Sequence, residues 1–460
     1  MNWEKGIDKL YENIVNAIPE GFRTAVKPLL LDAAQKKCIN RNSDYINEAD
    51  IVTALLDITP GPFFSEAIRS CQELNINVER YTELKNIQDT YRISWDKIGE
   101  AFHPGNMHFA MYVTDRCNQN CLHCAANSKA YRQELPIEEW KYIVDNLEDS
   151  LREQGRHGVY TWFGGEPTCR EDLREIIKYC GDKGYYQSII TNGVLFDDEY
   201  AKFCANNGMH HVFVSIDSAD PQKSDMIRGI ENSLEYAKKA VKTSIKYGLF
   251  TCCSTTVMKP NIYELAEIQE LVESLNGQPY FRAIVKQKNA AINWEKVGLS
   301  TEEYKILYDF KYKKIIDKIR NGKAGELPVY DVFEMVPFME EIQNDTELTV
   351  FEWGVGCQAC KQLSGIDING DIFACGYPSK AILGNALADR FSDVMKSVMF
   401  KKIKDKNLKG KCADCHHLSR CGGGCRIHAE CETGDILESF SYCWHENDHD
   451  HPFEKKMVSN

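Results

Sequence analysis

The chain has 460 residues, with 55 Lys and Arg against 68 Asp and Glu, for a formal net charge of −13. That balance argues against bare nucleic acid or an anionic membrane as partner, because both need clustered cations to neutralise phosphates. The opening MNWEKGIDKLYENIVNAIPE lacks the pattern of a secretion signal, and no apolar run approaches the ~18 residues of a membrane span. A cytoplasmic location is therefore expected, where 19 cysteines read as metal ligands before disulfides.

Residues 1–100 read as an all-helical domain. Ile7, Leu10, Ile14 and Ile18 form one apolar stripe, and Ile51, Leu55 and Ile58 another. Asn47 opens NEADIV as a helix start with acids in the first turn, and Pro60-Gly61-Pro62 ends that helix.

Residues 101–325 alternate strand and helix. Six β-type runs are HFAMYVT (108–114), VYTWF (159–163), QSIIT (187–191), HVFVSID (211–217), FTCCSTTV (250–257) and PYFRAIV (279–285). Amphipathic stretches follow at 137–155, 170–183, 197–207, 231–247, 262–275 and 302–320. This alternation predicts an α/β fold, a partial (β/α)6 TIM-like barrel with its site at the C-terminal strand ends. Tyr160, Trp162 and Tyr280 near those ends are pocket candidates.

The strand ends carry the motifs. Strand one runs into Cys117-x3-Cys121-x2-Cys124, three thiolates on one loop, with His123 between the last two. Three thiolates hold three irons of a [4Fe–4S] cluster and leave one iron open. A structural zinc site is the alternative, although zinc normally takes four ligands. Strand two ends in Gly164-Gly165-Glu166-Pro167, where glycines admit close backbone approach and Glu166 can accept from an ammonium. Strand three ends in Thr191-Asn192-Gly193, and strand four in Ser215-Ile216-Asp217, followed by Arg228-Gly229.

Residues 326–349 form a bridging segment. From 350 to 445 the regularity fades into short strands, glycines and Cys357-x2-Cys360-x9-Gly370-x4-Cys375, then Cys412-x2-Cys415-x5-Cys421-x3-Cys425 and Cys443. Eight thiolates match two fully ligated cubanes, the alternative being a pair of zinc knuckles. The basic run Lys396 to Lys411 reads as a solvated helix face. Eight other cysteines are scattered and read as buried structural thiols, with Cys169, two residues past Pro167, the exception. A polar tail, 446–460, closes the chain; with His445, its His449 and His451 read as loose polar residues before metal ligands.

The cysteine loop after strand one, with the GGEP, TNG and Ser215 motifs at successive strand ends, resembles the radical S-adenosylmethionine (SAM) superfamily over about residues 105–290. The C-terminal array resembles the SPASM extension of those enzymes, spacing for spacing. The resemblance implies three [4Fe–4S] clusters, SAM chelated on the open iron, and an external one-electron reductant such as ferredoxin or flavodoxin. It assigns Cys357, Cys360, Cys375 and Cys425 to one auxiliary cluster, and Cys412, Cys415, Cys421 and Cys443 to the other. It places Gly164 to Pro167 at the SAM amino group and Thr191 with Asn192 beside it. Ser215 and Asp217 fall at the ribose end, and His123 serves as a wall over cluster or adenine. Arg228 is either a partner of the SAM carboxylate or a solvated surface residue.

The expected activity is reductive cleavage of SAM to a 5′-deoxyadenosyl radical that takes a hydrogen from a peptide or protein residue, an auxiliary cluster accepting the resulting electron. The same chemistry on a tetrapyrrole or other small molecule is the alternative, and a non-catalytic iron–sulfur electron carrier is the reading from another class. The sulfatase-maturating branch carries an aspartate where this chain has Gly376, which argues against formylglycine formation. The helical N-terminal region differs from the winged-helix leader-binding domain of many peptide-modifying relatives. Trp3, Ile18-Pro19, Phe22-Arg23 and INEADIV instead show a short similarity to a small helical domain of a protochlorophyllide reductase subunit.

Overall fold

The computed structural model describes residues 2–78 apart from 19, 41, 42, 44, 60–63, 75 and 77, and then 106–126, 131–320, 356–415 and 418–443. The bridging segment 326–349, the polar tail with its histidines, and the Pro60–Pro62 break lie outside the described residues.

The N-terminal part packs helices α1 (Ile7–Ala17), α2 (Glu20–Asn40), α3 (Glu48–Ile58) and α4 (Phe64–Glu73) around Ile14, Leu30, Ile51 and Leu55. Asn47 caps α3 as expected, accepting from the Asp50 amide at 3.0 Å while Asp50 accepts back from the Asn47 amide. The region is not purely helical: β1 (Asn2–Trp3) pairs in parallel with β2 (Tyr45–Ile46).

Six parallel strands follow in sequence order: β3 (Met107–Thr114), β4 (Gly158–Gly164), β5 (Tyr186–Thr191), β6 (Met209–Ser215), β7 (Phe250–Val257) and β8 (Gln278–Ala283). Between them run α5 (Ile137–Arg152), α6 (Leu173–Asp182), α7 (Asp198–Asn206), α8 (Pro221–Arg228), α9 (Ser233–Lys246) and α10 (Leu265–Ser274). Short helices α11 (Lys288–Ile292) and α12 (Trp294–Val297) lead into α13 (Thr301–Arg320). This is the partial-barrel architecture, with β6 ending two residues earlier than the sequence pattern suggests.

Side-chain alternation along β4 corrects one expectation. Tyr160 and Trp162 are fully buried in the core against the helices, while Thr161 and Phe163 face the interior. Tyr160 donates to Glu148 at 3.0 Å and Trp162 to Gln187 at 3.0 Å, so both rings are structural. Burying such rings contributes about 1.5–3 kcal/mol each.

The C-terminal region does not stand apart. Strand β9 (Leu363–Ile366) pairs in parallel with β3, and β10 (Asp371–Phe373) and β11 (Ile382–Asn385) continue antiparallel, giving one nine-stranded sheet. Helices α14 (Phe391–Val394), α15 (Val398–Lys404), α16 (Leu418–Cys421) and α17 (Arg426–Thr433) complete it. In α15, Phe400 and Ile403 are buried while Lys401, Lys402 and Lys404 face water, the solvated basic face expected.

Two histidines on the barrel strands, His108 half-buried and His211 buried, are held below their ordinary pKa. Burial pushes His108 down to about 4, and His211, on β6 against Phe250, well below its ordinary value. An unfolded imidazole near 6.5 takes up a proton the folded one refuses, so stability is complete above about pH 6.5 and falls as pH drops towards 4. The drop in melting temperature between pH 7 and pH 5 should therefore be smaller in His211→Phe than in the parent; equal drops would show that His211 does not carry the effect.

Candidate active site

The cysteine loop has little regular structure of its own, and its neighbours hold it. The amides of Gly165 and Glu166 donate to the carbonyls of Thr114 and Arg116, both at 2.7 Å. A Cβ on Gly165 would stand 2.4 Å from the Arg116 carbonyl oxygen, and one on Gly164 2.4 Å from that of Thr114, so the paired glycines are a steric requirement. From the other side the amides of Asn120 and Leu122 donate to the carbonyls of Arg228 and Ile227 at the end of α8. From beyond β8, Asn289 and Asn293 give side-chain amides to the carbonyls of Cys121 and Leu122, each at 3.2 Å.

These contacts bring the expected residues together around one hollow of about 90 Å³. Cys117, Cys121, His123 and Cys124 form one wall. Gly164, Gly165 and Glu166 form the second, Thr191, Asn192 and Ser215 the third, and Arg228 closes it. Pro167 and Asp217 are not part of the lining: Pro167 is buried in a 3-10 turn, and Asp217 lies wholly buried behind Arg228.

Glu166 is fully buried and committed to the protein. One carboxylate oxygen accepts from the Thr168 amide, the Thr168 hydroxyl and the Thr191 hydroxyl, and the other accepts from the Asn192 amide at 2.7 Å. Burial nonetheless raises its pKa, against the lowering effect of those donors. The side chain ties the end of β4 to the end of β5 and leaves part of one oxygen for a ligand.

Arg228 is not a solvated surface residue. It is buried, 2.6 Å from the Asp217 carboxylate and 3.9 Å from the Cys121 sulfur. Burial works against its charge, while Asp217 and Cys121 hold it, and the net effect is upward. His123 stands 3.4 Å from the same carboxylate, yet burial pushes it down to about 4, so it is a neutral ring at neutral pH.

Among the described residues, no three His, Cys, Asp or Glu groups converge closely enough to hold a single metal ion. Cys117, Cys121 and Cys124 share one hollow, and three thiolates are three of the ligands a [4Fe–4S] cluster takes.

A second, larger cavity of about 230 Å³ lies between the barrel interior and the C-terminal region. Its wall is mostly apolar and aromatic, including Phe163, Ile190, Phe213, Tyr280, Tyr304 and Phe440. Cys357, Cys375, Cys421 and Cys425 reach it, as does Gly376, so no carboxylate stands at that position. Cys360 lies within electrostatic reach of Cys357 and Cys375, and Cys421 within reach of Cys412 and Cys443. Gly422, Gly423 and Gly424 all have positive φ, and a Cβ on Gly422 would stand 2.9 Å from the Cys357 amide nitrogen, so this run brings Cys421 and Cys425 round beside Cys357. Cys38, Cys71, Cys180, Cys204, Cys252 and Cys253 are buried, while Cys169 is partly exposed and so, against expectation, is Cys431.

Sequence reasoning missed Arg282, Tyr377 and the asparagine pair 289/293. A single arginine inside a strand gives no spacing signal, and the asparagines follow the last strand without a recognisable motif.

Residues 111–275 match the radical SAM superfamily and residues 357–416 match SPASM, an iron–sulfur cluster-binding domain. The AdoMet-dependent heme synthase of Methanosarcina barkeri is 27% identical over 339 residues, spanning 73% of this chain and 95% of that protein. The mycofactocin maturase MftC of Mycolicibacterium smegmatis is 27% identical over 321 residues, 68% of this chain and 76% of that protein. In fold, the chain is similar to anSMEcpe with bound AdoMet and the Cp18Cys peptide (TM-score 0.55, 18% identity, 74% of this chain and 93% of that one). It is also similar to Streptococcus suis SuiB bound to its precursor peptide SuiA (TM-score 0.56, 16% identity, 87% and 94%).

Replacing Asp217 by Asn leaves the Arg228 guanidinium buried without its carboxylate. Removing one member of a buried pair costs about 3 kcal/mol or more. The barrel unfolding transition of Asp217→Asn should move to clearly lower temperature, and adding Arg228→Gln should recover part of the loss. A melting temperature equal to the parent's would show that the pair is not holding the site.

Proposed function

This chain belongs to the radical SAM superfamily and carries a C-terminal SPASM domain, and from that premise we propose that it is an oxidoreductase acting on a carboxylate-bearing tetrapyrrole. When bound, a reduced [4Fe–4S] cluster with SAM supplies a 5′-deoxyadenosyl radical. Cys117, Cys121 and Cys124 would hold that cluster, with two auxiliary clusters on the eight C-terminal cysteines. The proximity of Cys360 to Cys357 and Cys375, and of Cys421 to Cys412 and Cys443, supports that division.

The protein's own part is positioning and exclusion of water. The Gly165–Thr114 and Glu166–Arg116 hydrogen bonds fix the loop. Burial pushes the Cys121 thiol's pKa up, and the Arg228 guanidinium 3.9 Å away works against that rise. Ser215 and Asn192 offer polar groups to an adenosyl moiety in the same hollow.

The observation that carries the substrate reading is the wall of the larger cavity, which beside the thiolates of the auxiliary-cluster array is mostly apolar and aromatic, with one guanidinium among the described residues, Arg282, at its junction with the cluster-side hollow. Such a wall suits a flat apolar body bearing acid groups. The extent of the match to the M. barkeri heme synthase, and a 25% identity with the Fe-coproporphyrin III synthase of the same organism, support it. A peptide or protein residue as substrate is the second reading, favoured by the match to the mycofactocin maturase.

Two measurements test these assignments. Reconstituted protein should carry about twelve irons per chain, and replacing Cys117, Cys121 and Cys124 together by Ala should remove about four and abolish SAM cleavage; surviving cleavage would displace the site. Adding iron coproporphyrin III to the reduced enzyme with SAM should raise 5′-deoxyadenosine release at least fivefold over SAM alone. No rise, from enzyme with a full iron complement, would overturn the tetrapyrrole reading and leave the peptide one.

A further inference from the structure

Arg282 sits where the two cavities meet. It is on the interior face of β8, two residues after Tyr280, and lines both the cluster-side hollow and the larger cavity. Arg228, by contrast, lines only the cluster-side hollow. The Arg282 guanidinium lies over the ring of Tyr377, whose centroid is 5.6 Å away, with Tyr280 also in electrostatic reach. Its Nε is buried and makes no hydrogen bond. The acid within its electrostatic reach, Asp217, already pairs with Arg228 at 2.6 Å and accepts from the Thr256 amide at 2.8 Å.

Arg282 is half-buried, and a guanidinium partly taken from water gains from a hydrogen-bonding anion, a carboxylate matching its planar fork. The face of one tyrosine supplies only part of that. Among the described residues no further acid is within its reach. Of the two arginines on the cluster-side hollow, Arg228 has Asp217 at 2.6 Å and Arg282 alone also lines the larger cavity, which makes that cavity the side from which an anion reaches it.

We infer that Arg282 receives a propionate-type carboxylate of the substrate, holding that edge of an apolar scaffold at the passage from the larger cavity to the cluster-side hollow. This rests on the tetrapyrrole reading above. Arg282 is then the residue that decides which edge of the substrate faces the cluster.

The test compares coproporphyrin III with its uncharged tetramethyl ester. Binding of each to the anaerobically reconstituted enzyme is measured by equilibrium dialysis, for the parent, Arg282→Gln and Arg282→Lys. The parent should prefer the acid by at least tenfold. Arg282→Gln should lose that preference while keeping its affinity for the ester, which also shows that its cavity is intact. Arg282→Lys, with the charge but not the fork, should fall between.

Equal binding of acid and ester by the parent, or a preference that survives in Arg282→Gln, would overturn this inference alone. Failure of the parent to bind either compound would overturn it together with the tetrapyrrole reading. SAM affinity without tetrapyrrole is measured in parallel. A loss there as large as the loss of acid binding would assign the guanidinium to SAM and overturn the inference.

Discussion

The whole site depends on two backbone hydrogen bonds, from Gly165 to Thr114 and from Glu166 to Arg116, both 2.7 Å. They continue the β3–β4 ladder past the end of the sheet and carry it into the cysteine loop. A loop of that length, with no helix or strand within it, has many conformations, and ordering it costs roughly 1–2 kcal/mol per residue. Pinning its first residues to β4, its middle to the end of α8 and its carbonyls to Asn289 and Asn293 removes most of that freedom from the folded chain. The thiolates are thus presented by a frame drawn from three separated parts of the sequence. The paired glycines follow from this, because any side chain at 165 would drive the two backbones apart.

Glu166 adds a second constraint of the same kind. A buried carboxylate is costly unless it is well hydrogen-bonded. Here its donors come from the 3-10 turn after β4 and from the end of β5, so the acid fixes the spacing between two strand ends. A residue that looks from sequence like a ligand contact has a structural task as well. The structural task leaves room for the expected ligand contact, because one of the carboxylate oxygens accepts a single bond.

Much of this was legible in the sequence, and the exceptions have physical causes. Periodicity located all six barrel strands and most of the helices between them, since each pattern is local; it missed α8 (Pro221–Arg228), whose eight residues are too few to show a repeat. It placed Tyr160 and Trp162 in the pocket wrongly, because a strand buried on both faces is apolar at every position and hides its parity. The pairing of β9 with β3 joins residues more than 250 positions apart, and no local pattern encodes that. Arg228 could be read as solvent-exposed or functional until its distance from Asp217 was known. Arg282 had no motif at all; only the meeting of two cavities at its side chain marks it out.

The distribution of charge in the interior ties these observations together. Arg228 and Arg282 face one shared acid, Asp217, with His123 held neutral beside it. Around Asp217, among the described residues, two guanidinium groups share one carboxylate, and a charge left without a partner in a low-dielectric interior is expensive. The sharing is uneven. Asp217 is bound to Arg228 against the cysteine loop, where anionic sulfur is required, and this leaves Arg282 as the electropositive point at the mouth of an otherwise apolar cavity. An apolar body is drawn into that cavity by burial alone, without preference for orientation. On the tetrapyrrole reading, one fixed guanidinium would supply the orientation, since an edge carrying an acid satisfies it.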